Sequence, residues 1–260
     1  MANGMVLVHG PRRKVSTGDA GMNFPMGGMM TFGEMEAGPR ASGIHLLGIY
    51  GPYRCGAWML VSGKECALVE CPLERGASKA VEDARSMIAR EGLHLKYIIP
   101  THTHLDHAAG IKAYQKAFPK AKIVGHASFA SSWLARYLDA YYTGSTQVLP
   151  LGGEPILLMH APKHSPEDTL VIFRGTCLSG DWIWGRYPEG RNLVPNKVIA
   201  RTLERVNQVL SESRYHVHTI FSSHANEARR GVDFPSMLSD MHHFFKGLAE
   251  AGSGSRSAYS

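Results

Sequence analysis

Apolar positions along this chain switch between an alternating period and a helical one, and the switching predicts an α/β protein. Residues 43–49 and 56–62 read as strands, followed after Gly63-Lys64 by a third at 66–70; the short Gly-containing turn predicts a hairpin. Over 78–91, Val81, Ala84, Met87 and Ile88 share one side, and Gly92 stands where a helix C-cap belongs. The run Leu95-Lys96-Tyr97-Ile98-Ile99 reads as a buried strand. Pro100 ends it, because proline lacks an N–H and disfavours helix in the residue before it. The pattern then predicts a helix over 107–117, a strand at 122–125 and a helix over 128–142. Strands follow at 155–159, 169–173 and 176–178. Ile199, Leu203, Val206 and Leu210 mark a helix, 217–221 a strand, and 234–248 a final helix. The order is α/β with several hairpins rather than pure βαβ repetition.

The two ends behave differently. Residues 1–42 are rich in Gly and Met without a clean period, which predicts an irregular N-terminal cap or lid. Residues 251–260 are Gly/Ser-rich and read as a disordered tail. Between them, 43–250 forms the folded domain, and no solenoid repeat is present.

Composition narrows the class. A chain of 260 residues with 44% hydrophobic and 19% charged residues can bury a full enzyme core. No apolar run is long enough for a transmembrane helix, and the apolar part of Met1–Val8 is too short for a secretory segment. A cytoplasmic location and no membrane partner are therefore expected. The four cysteines, Cys55, Cys66, Cys71 and Cys177, show no CxxC pairing and read as reduced thiols. The net charge of +6 raises nucleic acid as a partner. Only Arg12-Arg13-Lys14 and Arg229-Arg230 are adjacent, without interleaved aromatics, so a small and anionic molecule is the better expectation. A homodimer is compatible with the sequence.

Chemistry concentrates in His102-Thr103-His104-Leu105-Asp106-His107, just past the strand 95–99. Alternate residues of an extended segment point the same way, so His102 and His104 converge. Asp106 and His107 fall where the chain turns helical and leave in another direction, so one junction can serve two neighbouring metal ions. Three later places repeat the theme of strand, break and ligand: His164 within Ala161–Pro166, Asp181 after Ser179-Gly180, and His224 after Ser222-Ser223. His160, four residues before His164, is the alternative ligand at the first of these. His45, His94, His126, His216, His218, His242 and His243 read as structural or surface residues. No GxSxG, P-loop or GxGxxG supports another catalytic reading.

With this HxHxDH signature and its downstream partners, the chain resembles the metallo-β-lactamase-fold superfamily over residues 43–245. The resemblance implies a four-layered αβ/βα sandwich. It implies that His102, His104 and His164 bind one metal and Asp106, His107 and His224 a second, with Asp181 bridging. Where the family has Pro-Gly-His, this chain has Pro162-Lys163-His164, which alters the turn and brings a cation near the site.

Imidazole and carboxylate donors suit two divalent ions, zinc by default, with iron or manganese also compatible. Two such ions about 3.5–4 Å apart hold a bridging hydroxide near neutral pH, and Asp106 can orient it and carry its proton as the catalytic carboxylate. Lys163, Arg186, Tyr187 and Lys197 are candidates for substrate contact, with solvated loop charges as the equal alternative. The expected activity is hydrolysis of a small ester, thioester, lactone or amide. A di-iron oxidoreductase or oxygenase on the same fold is the first alternative and a phosphodiesterase the second.

Overall fold

Strands whose both faces are apolar dominate the chain, and such strands need a covering layer on each side. A computed structural model describes residues 5–7, 43–72, 78–188, 193–213, 215–224 and 228–254. The first half supplies β1 (Met5–Leu7), β2 (Ile44–Tyr50), β3 (Cys55–Ser62), β4 (Glu65–Val69), α1 (Ser78–Glu91), β5 (His94–Ile99), α2 (Leu105–Ala108), α3 (Ile111–Ala117), β6 (Lys122–His126) and β7 (Ala140–Tyr142). The second supplies β8 (Thr146–Leu151), β9 (Glu154–His160), β10 (Thr169–Phe173), β11 (Thr176–Leu178), α4 (Asn196–Ser213), β12 (Thr219–Phe221), β13 (Ala228–Arg230) and α5 (Phe234–Gly254).

One sheet runs β1-β7-β6-β5-β4-β3-β2 and the other β13-β12-β11-β10-β9-β8. Both are mixed: β4 to β7 run parallel in the first, and β11 runs parallel to β12 in the second. Alternation along each strand sorts its side chains between two layers. Trp58 and Leu60 of β3, Tyr97 and Ile99 of β5, Leu158 of β9 and Val171 of β10 fill the core between the sheets. Met59, Leu68 and Ile98 turn outward onto Ala84 of α1 and onto Ile111 and Tyr114 of α3. On the far side, Leu157, Met159 and Ile172 pack on Ile199, Leu203 and Val206 of α4 and on Leu238, Met241 and Phe245 of α5. The result is the αβ/βα sandwich, with helices outside and sheets within.

Several elements differ from the periodic reading. Residues 128–142 form two 3-10 turns, Ala127–Ser131 and Trp133–Tyr137, and then β7. Ser132 between them is extended (φ −94°, ψ 168°), and its hydroxyl accepts from Leu134 N, an alternative to helix that serine offers the backbone. The helix over 107–117 is divided at Gly110, where a Cβ would lie 2.6 Å from the Pro72 carbonyl oxygen. The strand at 217–221 is confined to β12.

Strands β1, β8 and β13 are additions. In β8, Pro150 faces Pro155 of β9, a register position at which neither residue has an N–H to lose, on an edge strand where proline is tolerated. Helix α5 continues to Gly254, so the tail reading for 251–260 is corrected as far as that residue; 255–260 lie outside the described residues. Of the segment read as a cap, only β1 is described, paired antiparallel with β7. All four cysteines are free and buried. Among the described residues, no helix is long and apolar enough to cross a membrane.

Candidate metal centre

Strand ends from both sheets meet at one edge of the sandwich. Past β5, Thr101 and His102 are buried, and His104 is extended (φ −63°, ψ 147°) as the N-cap of α2, making no side-chain cap bond. Its imidazole is thereby left to the site, while α2 carries Asp106 and buried His107. The loops after β9, β11 and β12 deliver His164, Asp181 and His224 from the second sheet. Gly180 makes the last turn before Asp181 at φ +58°, and a Cβ there would lie 2.8 Å from Thr101 Oγ1. Its carbonyl accepts from Ser223 N at 3.0 Å, tying the Asp181 and His224 loops together.

All seven residues singled out as ligands come together, in two groups that share Asp181. His102, His104, His164 and Asp181 form one, and Asp106, His107, Asp181 and His224 the other; within each group the donor atoms lie within 4.8 Å of one another. Asp181 Oδ2 is 3.9 Å from His102 Nε2 and 3.6 Å from His164 Nε2. Its Oδ1 is 3.1 Å from His107 Nε2 and 3.2 Å from His224 Nε2. Asp106 Oδ2 stands 3.5 and 3.6 Å from the same two nitrogens. His164 Nε2 and His104 Nδ1 approach to 3.1 Å.

The outer contacts fix which ring nitrogen faces inward. Thr101 Oγ1 donates to Glu70 Oε1 at 2.6 Å, so its oxygen accepts from His102 Nδ1–H at 3.0 Å. His107 Nδ1–H donates to the same Glu70 oxygen at 3.1 Å, and His224 Nδ1–H to the Tyr53 carbonyl at 2.8 Å. Each of the three rings therefore turns an Nε2 lone pair to the centre. His102 Nε2, His107 Nε2 and Asp181 Oδ1 are buried without a hydrogen-bond partner among the described residues. Each such orphan costs about 1–3 kcal/mol unless something satisfies it. A lone pair on neutral imidazole and a carboxylate oxygen are the donor chemistry of a divalent cation, so the residues present fit one.

The electrostatics agree. Burial and the neighbouring imidazoles push His102 well below the usual histidine range, and burial with His164 lowers His104. Burial would raise the Asp181 carboxyl, but the close approach of the His107 and His224 imidazoles holds it far below the carboxylate range. Burial also opposes charging of His107, yet the carboxylates of Glu70 and Asp181 raise it above its ordinary value. The cluster thus draws positive charge toward Asp181, as a cation there would. Cys55 Sγ lies 3.7 Å from His107 Nδ1, but burial pushes its thiol up to about 11, which keeps it a neutral thiol beside the ring.

Other expected residues sit elsewhere. Lys163 is fully buried with Nζ over the rings of Phe245 and Trp182 (5.3 and 5.8 Å), which does not bring it to the mouth of the site. Arg186 pairs on the surface with Asp240 of α5 at 3.2 Å, and Tyr187 and Lys197 are exposed. His160 is not in either group: its Nε2 bonds the Pro166 carbonyl and its ring stacks on His126. Two residues passed over in the sequence support the site. Glu70 is one, fully buried at φ +72° just past β4. Asp168 is the other; its Oδ2 accepts from the backbone N–H groups of Lys163, His164 and Ser165, shaping the His164 turn. A carboxylate closing an apolar strand run was the available signal for Glu70.

Comparison with known proteins bears on the same region. The model of the metallo-beta-lactamase superfamily matches residues 50–190, more than half of the chain. A hydroxyacylglutathione hydrolase of Anaeromyxobacter dehalogenans is 30% identical over 128 residues, which are 49% of this chain and 45% of that protein. The chain thus matches less than half the length of that curated relative. Among solved structures, a metallo-beta-lactamase family protein from Thermus thermophilus superposes with a TM-score of 0.55 at 16% identity, covering 80% of this chain and 81% of the other. ETHE1 from Myxococcus xanthus gives 0.57 at 15%, covering 79% and 90%. At such identities the likeness is one of fold.

Proposed function

The chain belongs to the metallo-beta-lactamase superfamily, and on that footing we propose that it is a dinuclear metal-dependent hydrolase of a small ester, thioester, lactone or amide. The observation that carries this reading is Asp181, which belongs to both groups of donors, with Oδ1 beside His107 and Oδ2 within reach of His164 and His224. In this reading His102, His104 and His164 would hold one ion and Asp106, His107 and His224 the other, with Asp181 shared between them and zinc as the default metal. Two ions held there would supply a water acidified to a pKa of about 7 and Lewis acidity toward a carbonyl oxygen. The chain's residues do the rest. Glu70, Thr101 and Tyr53 keep three imidazoles in the tautomer that leaves Nε2 free. Asp106, partly exposed at the edge of the cluster, is placed to take a proton and return it to the leaving group. Within the substrate class, a thioester is favoured by the relative that hydrolyses hydroxyacylglutathione.

The test is metal content and an absorption spectrum of protein purified without added metal, alongside hydrolysis of acyl thioesters and esters. Two zincs per chain, a colourless protein and hydrolysis that Asp181→Asn abolishes together with metal content are expected. Two irons with visible charge-transfer bands and no hydrolysis would overturn the proposal in favour of redox chemistry.

A further inference from the structure

Most large apolar side chains of this protein are buried, and single exposed ones are ordinary. The position of two exposed ones is not. Leu105, 58% exposed, lies in the chain between the candidate ligands His104 and Asp106. Trp133, 36% exposed, donates its indole N–H to the carbonyl of Thr103, between His102 and His104, at 3.0 Å. Both are therefore fixed to the loop that presents the candidate ligands. The turn carrying Trp133 is itself anchored: Leu134 is fully buried, Ser132 caps the turn, and Tyr137 meets the indole edge-on at 6.2 Å. A rigid, half-exposed indole with its polar atom already satisfied offers only its apolar face to a ligand. Tyr53, on the turn between β2 and β3 with its carbonyl holding His224, and Ile183, two residues past Asp181, are likewise exposed.

We infer that Trp133 and Leu105 form a binding subsite for the apolar acyl chain of the substrate, which selects medium-chain acyl esters or thioesters over acetyl ones. The inference rests on the hydrolase reading for the word substrate, but the subsite itself can be tested without hydrolysis. Trp58, Trp182 and Trp184 are buried, so Trp133 is the solvent-exposed one of the chain's four tryptophans and reports on this surface by its fluorescence.

The experiment titrates metal-loaded protein with straight-chain carboxylates from acetate to octanoate, below their micelle concentrations. Affinity should tighten by about two- to fourfold per methylene, as partial to full burial of each group requires. Octanoate should shift the indole emission to the blue, and Trp133→Phe should lose that shift. Leu105→Ser should weaken octanoate by about tenfold, the loss expected for removing an apolar contact surface of that size. Chain-length-independent binding overturns the subsite, and so does chain-length-dependent binding that leaves the Trp133 emission unmoved. If the carboxylates behave as expected while no acyl ester or thioester is hydrolysed, the subsite stands and the hydrolase reading falls.

Discussion

Glu70 concentrates the physical argument at the scale of single residues. Its carboxylate is fully buried, and burying a charge is costly unless hydrogen bonds replace water. Thr101 Oγ1, Thr101 N, Ser223 Oγ and His107 Nδ1 all donate to it. These donors reach both ligand groups: His102 through Thr101, His107 directly, and His224 through its neighbour Ser223. Holding a non-glycine residue at φ +72° costs about 1–2 kcal/mol, a strain the four bonds offset. Glu70→Gln keeps the shape but gives the His107 Nδ1–H a neutral acceptor and turns an NH2 toward one of the donors. Metal affinity should fall about 10- to 100-fold, read by chelator competition, because outer contacts orient ligands and raise their basicity. Unchanged affinity would mean that the site organises without Glu70. Nothing in periodicity marks such a residue; its role exists only once β4, β5 and the His224 loop are adjacent.

Elements show where sequence periodicity suffices and where it fails. Helices α1, α4 and α5 were legible because each buries one stripe against a sheet, and repeated apolar spacing records that demand. Residues 128–142 failed because apolar residues of short 3-10 turns fall at spacings a helix would also give, and one serine decides the break. At the end of β6, His126 caps the first of those turns, accepting from Ser128 N, and stacks on His160 of β9 at 3.6 Å. The stack joins a strand of one sheet to a strand of the other. Burial, His160 and Arg205 push His126 down from 6.5 to about 4, against the pull of the Gly144 carbonyl. Between those two values the unfolded chain binds a proton that the folded one refuses, so stability rises with pH across the window. Each pH unit crossed there is worth up to about 1.4 kcal/mol, and solvent screens part of it. Acidification from pH 7 to 4 should therefore remove about 2–3 kcal/mol through this group. His126→Gln should flatten the pH dependence of urea unfolding over that range, whatever it does to stability at pH 7. A slope equal to that of the parent protein would remove His126 as its source.

At the scale of the whole molecule, the sandwich and the seven candidate ligands are legible in the sequence, because each ligand follows an apolar strand and a chain break. What stayed hidden was the cross-sheet geometry. His102, His104, Asp106 and His107 come from the first sheet and His164, Asp181 and His224 from the second, so the centre lies across the seam between them. Two ions bound there would staple the sheets together at an edge where the inter-sheet core gives way to polar side chains. Three buried orphan atoms and a set of mutually repelling imidazoles oppose closure of that edge without them. Ligand that binds only the folded state stabilises it by about 4 kcal/mol at a thousandfold excess over Kd. For a domain of this size each kcal/mol moves Tm by about 2–4 °C, so stripping the metal should lower Tm by about 10 °C. Calorimetry with and without chelator measures this, and zinc added back should restore it. In Asp181→Asn the gap between the two traces should shrink, since the shared oxygens no longer carry the charge that links both groups. A chelator-insensitive Tm would place the stability of the seam in the apolar core alone and argue against a dinuclear centre.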